Sequence, residues 1–337
     1  MDTLTHIVLG ACIGEAIAGK QIDKKALILG AFAQNIPDID FVASFWLPTA
    51  ADLLAHRGFT HSILFTILIT PLLALGSLRL IRTGDMTFMR WIYFWGIQIF
   101  VHIFIDAFNA YGTGWFEPFS HYRVSFNTMF VADILFVIPP ALTCVTLVVL
   151  KAKNKRRKVC AWIGLGCSSL YLLYGIGNKI FIDHFVKNSI QSEHLKVNHF
   201  ITTPTPLNNL LWYIIAENDS GYYIGYRSVF DKSGAIDFHY VWRNDSLLRS
   251  ADYKADMDRL LRFSDGYYAI DMQHDTLVFN DLRFGEMRGW EGRGRGFVCH
   301  YYLQYPNANE MIVQRGRFAG WDRQALEAFL KRISGDP

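Results

Sequence analysis

The sequence predicts an α-helical polytopic membrane domain of about six segments, the first two short or broken, followed by a soluble α+β domain. Three observations carry this prediction. Long apolar runs are confined to the first half of the chain, and short loops rich in Lys and Arg separate them. Beyond about Lys187 the apolar residues instead alternate with polar ones. The chain of 337 residues is 51% hydrophobic, 15% aromatic and 19% charged, so its apolar excess has to be local. A net charge of +3, without a basic stripe, argues against nucleic acid as a partner. The five cysteines have no ligand spacing and read as packing thiols.

Leu4 to Gly19 is apolar and Gly-rich, interrupted by His6 and Glu15, and ends at the basic turn of Lys20, Lys24 and Lys25. No basic leader precedes it, so it is expected to be retained rather than cleaved. Ala26 to Ile36 stops at Pro37, which cannot continue a helix without losing a backbone hydrogen bond. Broken helices of this kind are tolerated in membranes where the broken end lines a polar cavity. Ile63 to Leu80, Trp91 to Phe108, Met129 to Leu150 and Val159 to Phe181 follow as spans, with Pro139-Pro140 a kink in the third of these four. The run KAKNKRRK, Lys151 to Lys158, is the strongest topological signal.

Basic loops face the cytoplasm, which places Lys20 to Lys25, Arg79 to Arg90 and Lys151 to Lys158 on that side. Residues 1–186 then form the membrane domain of a multi-pass protein of the bacterial inner membrane. Residues 187–337 form an extracytoplasmic α+β domain. Tyr222 to Val229, Ala235 to Val241, Tyr267 to Met272 and Phe297 to Tyr305 read as its strands, and Ala251 to Phe263 and Asp322 to Ile333 as amphipathic helices.

The stretch from Asn35 to Ser62, NIPDIDFVASFWLPTAADLLAHRGFTHS, puts carboxylates and imidazoles between apolar segments. Ionised groups there cost about 2.5 to 3.5 kcal/mol each at mid-membrane, so something is expected to bind them. Asp2 and His6 are four residues apart on one helix face, and His102 and Asp106 repeat that spacing on a later segment. Asp38 and Asp40 follow the helix-stopping Pro37; His56 and His61 flank Arg57-Gly58-Phe59-Thr60; Asp133 lies near the start of its segment. Topology puts these four histidines and five carboxylates at similar depth on one face.

Asp2, His6, Asp38, Asp40, His56, His61, His102 and Asp106 are therefore the candidate metal ligands. Ligands of N and O without thiolate suit zinc first, with manganese or iron as alternatives, and their number allows two ions. Arg57 is a candidate for binding an anionic substrate, and Asp133 for a catalytic or orienting role. Glu15 reads as a helix partner and His121 as a reserve ligand. Six histidines of the second half (His184, His194, His199, His239, His274 and His300) lack paired spacing and read as surface or core residues.

Met1-Asp2-x-x-Thr5-His6, PDID at Pro37 to Asp40, HRGFTHS at His56 to Ser62 and the HxxxD of His102 and Asp106 occur in the order that resembles the bacterial membrane-bound metal-dependent hydrolases. That group includes LexA-binding inner-membrane members. The resemblance covers roughly residues 1–185. PTPLNNLLW at Pro204 to Trp212, with Asp281 to Gly285, is similar to the tail of longer members. It implies a metal-dependent hydrolase, without a substrate. The HxxxD spacing is also similar to that of zinc-dependent phospholipase C and nuclease folds, as analogy only.

The expected activity is hydrolysis of a phosphoester or other ester in a lipid or lipid-linked substrate by metal-activated water, since a site at headgroup depth meets such molecules by lateral diffusion. The alternatives are a non-catalytic membrane scaffold or metal-binding sensor with a closed site. Ion transport is disfavoured, because the polar groups gather at one face.

Overall fold

The computed structural model describes the chain except residues 82–84, 233–234, 251–253, 274–275, 293–295, 304–317, 319–320 and 336–337. Ala251, His274 and Tyr305, named above, lie outside the described residues. The chain divides into two compact units, one of residues 1–42 with 55–175 and the other of residues 43–54 with 176–337.

The first unit is helical. Its elements are α1 (Thr3–Ile22), α2 (Lys25–Gln34), a 3-10 stretch Pro37–Phe45 that begins here, α4 (Ile63–Leu80), α5 (Phe88–Asp106), α6 (Ile134–Val149) and the first half of α7 (Arg156–Ser192); the short α3 (Thr49–Ala55) belongs almost wholly to the second unit. Four of these starts have a side-chain cap. Asp2, Ser62, Thr87 and Asp133 cap α1, α4, α5 and α6, each accepting from a backbone N–H two or three residues on.

Of the six expected segments, α4, α5 and α7 are long and apolar enough to cross a membrane alone. A fourth crossing exists if α2 and Pro37–Phe45, bent by 54° at Pro37, form one broken span. The remaining two expected segments correspond to α1, whose apolar run is cut by His6 and Glu15, and to α6, which at 16 residues is short for a bilayer. Both complete the helical unit by packing on their neighbours.

Helices α1 and α2 pack backbone to backbone. A Cβ on Gly14 would sit 2.1 Å from the Ala26 carbonyl oxygen, and one on Gly10 2.3 Å from that of Gly30. Small residues four apart allow this approach, the packing mode favoured where lipid gives no hydrophobic drive. Gly14→Ala is expected to cost about 1 to 3 kcal/mol by overpacking. Gly76→Ala, where an added Cβ meets nothing within 4 Å, is expected to leave the unfolding temperature in detergent unchanged.

In the second unit an antiparallel sheet runs in the order β1 (His199–Pro204), β2 (Leu211–Glu217), β3 (Gly221–Ser228) and β4 (His239–Trp242). A second holds β5 (Tyr268–Gln273), β6 (Thr276–Glu286) and β7 (Phe297–Tyr302). Helices α8 (Lys254–Phe263) and α9 (Arg323–Ile333) complete the described part. Strand β2 is apolar on both faces. Tyr213 and Ile215 enter a core with Leu282 and Phe297, while Trp212 and Ile214 meet Ile182 and Val186 of α7. Ala50 and Leu53 of α3 pack with Met257, Leu260 and Phe279.

Candidate metal centre

The site lies in the first unit where α2 ends, where the turn before α4 begins and where α5 ends. Pro37 terminates α2 and starts the 3-10 stretch that carries Asp38 and Asp40. The chain leaves this unit at Val42 and returns at Ala55. His56, Arg57 and His61 follow at once, and Ser62 caps α4 by accepting from Phe65 N at 2.9 Å.

Four predicted ligands converge. Asp38, His61, His102 and Asp106 each offer one atom within 4.8 Å of the others. His61 Nε2 and His102 Nε2 are 3.1 Å apart. Asp38 Oδ1 is 3.5 Å from each of those nitrogens. Asp106 Oδ2 is 3.5 Å from His61 Nε2 and 3.8 Å from His102 Nε2.

The outer ring atoms fix the tautomers. His102 Nδ1 meets the backbone carbonyl of Gln34, which can only accept, so Nδ1 carries the proton. His61 Nδ1 lies 3.3 Å from Asp40 Oδ2, again an acceptor. As neutral rings, the form metal ligation requires, they turn two Nε2 lone pairs toward each other beside two carboxylates. A metal ion or a shared proton satisfies that arrangement. Ligand bonds of about 2.0 to 2.1 Å in a tetrahedral zinc site put ligand atoms about 3.3 Å apart, close to the separations found here. Asp106 Oδ2 is 2.9 Å from Arg57 Nε but accepts no well-aligned hydrogen bond among the described residues. The cluster could hold a metal ion.

The surrounding groups position these ligands. Asp40 lies outside the four. Its Oδ2 accepts from Arg57 N at 2.7 Å and Thr60 Oγ1 at 2.9 Å, and its Oδ1 is 3.0 Å from His56 Nδ1. It thereby holds the turn that presents His61 and engages His56, which is half-buried. His6 stacks on His102 with ring centroids 3.8 Å apart; its Nε2 is 3.1 Å from Asp106 Oδ1 and its Nδ1 3.2 Å from Gln34 Oε1.

Arg57 is buried at φ 58°, in the left-handed region, which costs of order 1 kcal/mol or more for a residue with a Cβ. The bond from its N–H to Asp40 and its side-chain contacts hold it there. Its Nε is 2.9 Å from Asp106 Oδ2, Nη1 donates to Asn109 Oδ1 at 2.9 Å, and Nη2 to the Met1 carbonyl at 3.2 Å. The guanidinium therefore balances the Asp106 carboxylate. The Met1 amino group also meets Asp106 Oδ1.

Asp2 and Asp133 are used elsewhere. Asp2 accepts from Thr5 N at 3.1 Å and from the Thr5 hydroxyl. Asp133 Oδ1 caps Leu135 N and Phe136 N, and its Oδ2 accepts from Tyr171 at 2.9 Å. Losing that cap and the tyrosine bond in Asp133→Ala is expected to cost about 1 to 3 kcal/mol with metal content unchanged, while Asp133→Asn, an equally good cap, costs less. Thermal unfolding with elemental analysis on the same samples checks both. His121 pairs with Glu117 at an exposed position, and Glu15 pairs with Arg157.

Gln34 and Asn109 were missing from the sequence-based set. Gln34 is fully buried and addresses two histidines, and Asn109 steadies Arg57. Their signal was weak: two carboxamides, each close to the end of an apolar segment.

Among the described residues, three helices long and apolar enough to cross a membrane, or four with the bent pair, and a buried cluster of imidazoles and carboxylates mark a membrane protein with a candidate metal centre. The chain belongs to the YdjM inner membrane protein family, whose model matches residues 1–180. It is similar to "Uncharacterized protein YfhP" of Bacillus subtilis (strain 168), 25% identical over 346 residues and 95% of each chain. It also resembles "Inner membrane protein YbcI" of Escherichia coli (strain K12), 28% identical over 122 residues, 36% of this chain and 69% of that one. No solved structure matches. These relationships support a location in the inner membrane and association with a lipid bilayer; they do not extend to hydrolysis.

Proposed function

We propose that the protein is a membrane-bound metal-dependent hydrolase that cleaves a phosphoester or other ester in a lipid or lipid-linked substrate. The observation that carries this reading is the facing pair of Nε2 atoms, 3.1 Å apart, with a carboxylate on either side. Asp38, His61, His102 and Asp106 would hold one divalent ion, zinc first and manganese or iron next. His6, with Asp106 Oδ1, offers donors toward a second. Such an ion supplies Lewis acidity and lowers the pKa of water.

The chain's own residues do the rest. Asp40 and the Gln34 carbonyl fix the two ring orientations, a role that typically tunes affinity and basicity. Arg57 offsets the charge of Asp106 and lends its positive field to an anionic substrate. Asp38 is the cluster residue open to solvent, with its side chain 23% exposed against 0% for the other three. It is the group placed to take a proton from the attacking water. The positive-inside rule favours an extracytoplasmic location for residues 187–337.

A closed structural or sensory site is the second reading, favoured by the full burial of three of the four ligands. Incubating zinc- or manganese-loaded protein with native lipid extract separates the two. Release of phosphate or of an alcohol product by the parent and not by a His61→Ala, Asp106→Ala variant supports hydrolysis. Unchanged lipids across several divalent ions support the closed site.

A further inference from the structure

A second feature of the helical unit lies apart from the metal cluster. An apolar groove of about 550 Å³ runs along α1, α5 and α7, lined among others by Ile13, Ile97, Val101 and Leu165. None of the four cluster residues lines it. On α5 the lining positions Arg90, Tyr93, Ile97, Val101 and Ile105 fall on one face, a helical rise of about 22 Å. That exceeds one leaflet, about half of a 30 Å hydrocarbon core.

The groove is polarised. Arg90 and Lys158 stand at one end, where a second hollow, sharing Lys158 and Trp162, adds Lys20 and Lys155. These four cations come from all three basic loops. Among the described residues, Lys20, Lys155 and Lys158 pair with no carboxylate, and the Arg90 guanidinium donates to the backbone carbonyl of Asp85. Trp162, exposed at the rim, and Tyr93 supply the amphipathic rings that favour a headgroup boundary.

We propose that this groove binds an anionic phospholipid of the leaflet that faces the basic loops, with an acyl chain along α1, α5 and α7 and its phosphate met by Lys20, Arg90, Lys155 and Lys158. The apolar length selects a lipid over a soluble anion. The uncompensated positive charge selects an anionic headgroup over a zwitterionic one, at about 1 kcal/mol for each basic residue near the surface.

The test is native mass spectrometry of the full chain after equilibration in vesicles of equal phosphatidylglycerol and phosphatidylcholine. Retained lipid is expected to be mainly phosphatidylglycerol. A Lys155→Gln, Lys158→Gln variant is expected to retain it roughly tenfold less or worse. Val101→Trp, which fills the groove, is expected to lose the bound lipid while keeping its helical circular dichroism. Equal retention of the two lipids, undiminished retention by the lysine variant, or displacement of the lipid by inorganic phosphate alone would each overturn the proposal.

Discussion

Replacing His61 and His102 together by alanine is expected to leave the purified protein with metal at background, where the parent carries about one divalent ion per chain or more. The two rings supply both nitrogen donors, and their Nε2 atoms lie 3.1 Å apart. Without them Asp38 and Asp106 remain as two carboxylates, a set that suits weakly held, largely hydrated ions. The variant should also unfold at lower temperature, because ligation stabilises the folded state by mass action, about 2.7 kcal/mol at a hundredfold excess over Kd. Added zinc should raise the parent's unfolding temperature and not the variant's. Acidification should release the metal, because protons compete with it for the ligand atoms. Elemental analysis and thermal unfolding on the same preparations read all of this. Equal metal in parent and variant would contradict the assignment.

The largest effect on stability is expected from Glu15→Ala. Glu15 and Arg157 are almost wholly buried, with Arg157 Nε donating to Oε1 at 2.9 Å and Nη2 to Oε2 at 2.5 Å. Arg157 Nη1 also donates to the carbonyls of Leu147 and Leu150, so one guanidinium ties α1, the end of α6 and α7 together. Removing the carboxylate leaves a buried cation without its counter-charge, which costs about 3 to 5 kcal/mol. A Glu15→Leu, Arg157→Leu double variant removes both charges and should recover much of that loss, since an apolar pair of similar volume is often close to neutral. If Glu15→Ala unfolds at the parent's temperature, the pair does not tie these helices.

Much of the centre was legible because its spacing is local. His102 and Asp106 lie one turn apart on a helix, and the proline before Asp38 announces a break that exposes the carboxylates after it. The first helix shows the limit of the same rule. Asp2 and His6 also stand four apart, yet Asp2 is spent on its helix cap, because the first N–H groups of any helix need an acceptor. Asp133 was drawn off in the same way. Which carboxylates remain for a metal depends on capping geometry that residue spacing does not encode.

Strands with alternating residues were readable, such as β3 and β5. Strand β2 was not, since LWYIIAE is buried on both faces and a continuous apolar run has no period to detect. The placement of residues 43–54 in the second unit was equally hidden. Ala50 and Leu53 look like part of a loop between ligand motifs until their partners Met257 and Leu260, some two hundred residues on, are known.

Two imidazoles and two carboxylates of the first unit are proposed to form one metal site. X-ray absorption spectroscopy of the zinc-loaded full chain tests it most directly. The expected spectrum has a shell of nitrogen and oxygen at about 2.0 to 2.2 Å, with the outer-shell scattering of two imidazole rings and no sulfur. A sulfur shell, or oxygen neighbours without imidazole scattering, would contradict it.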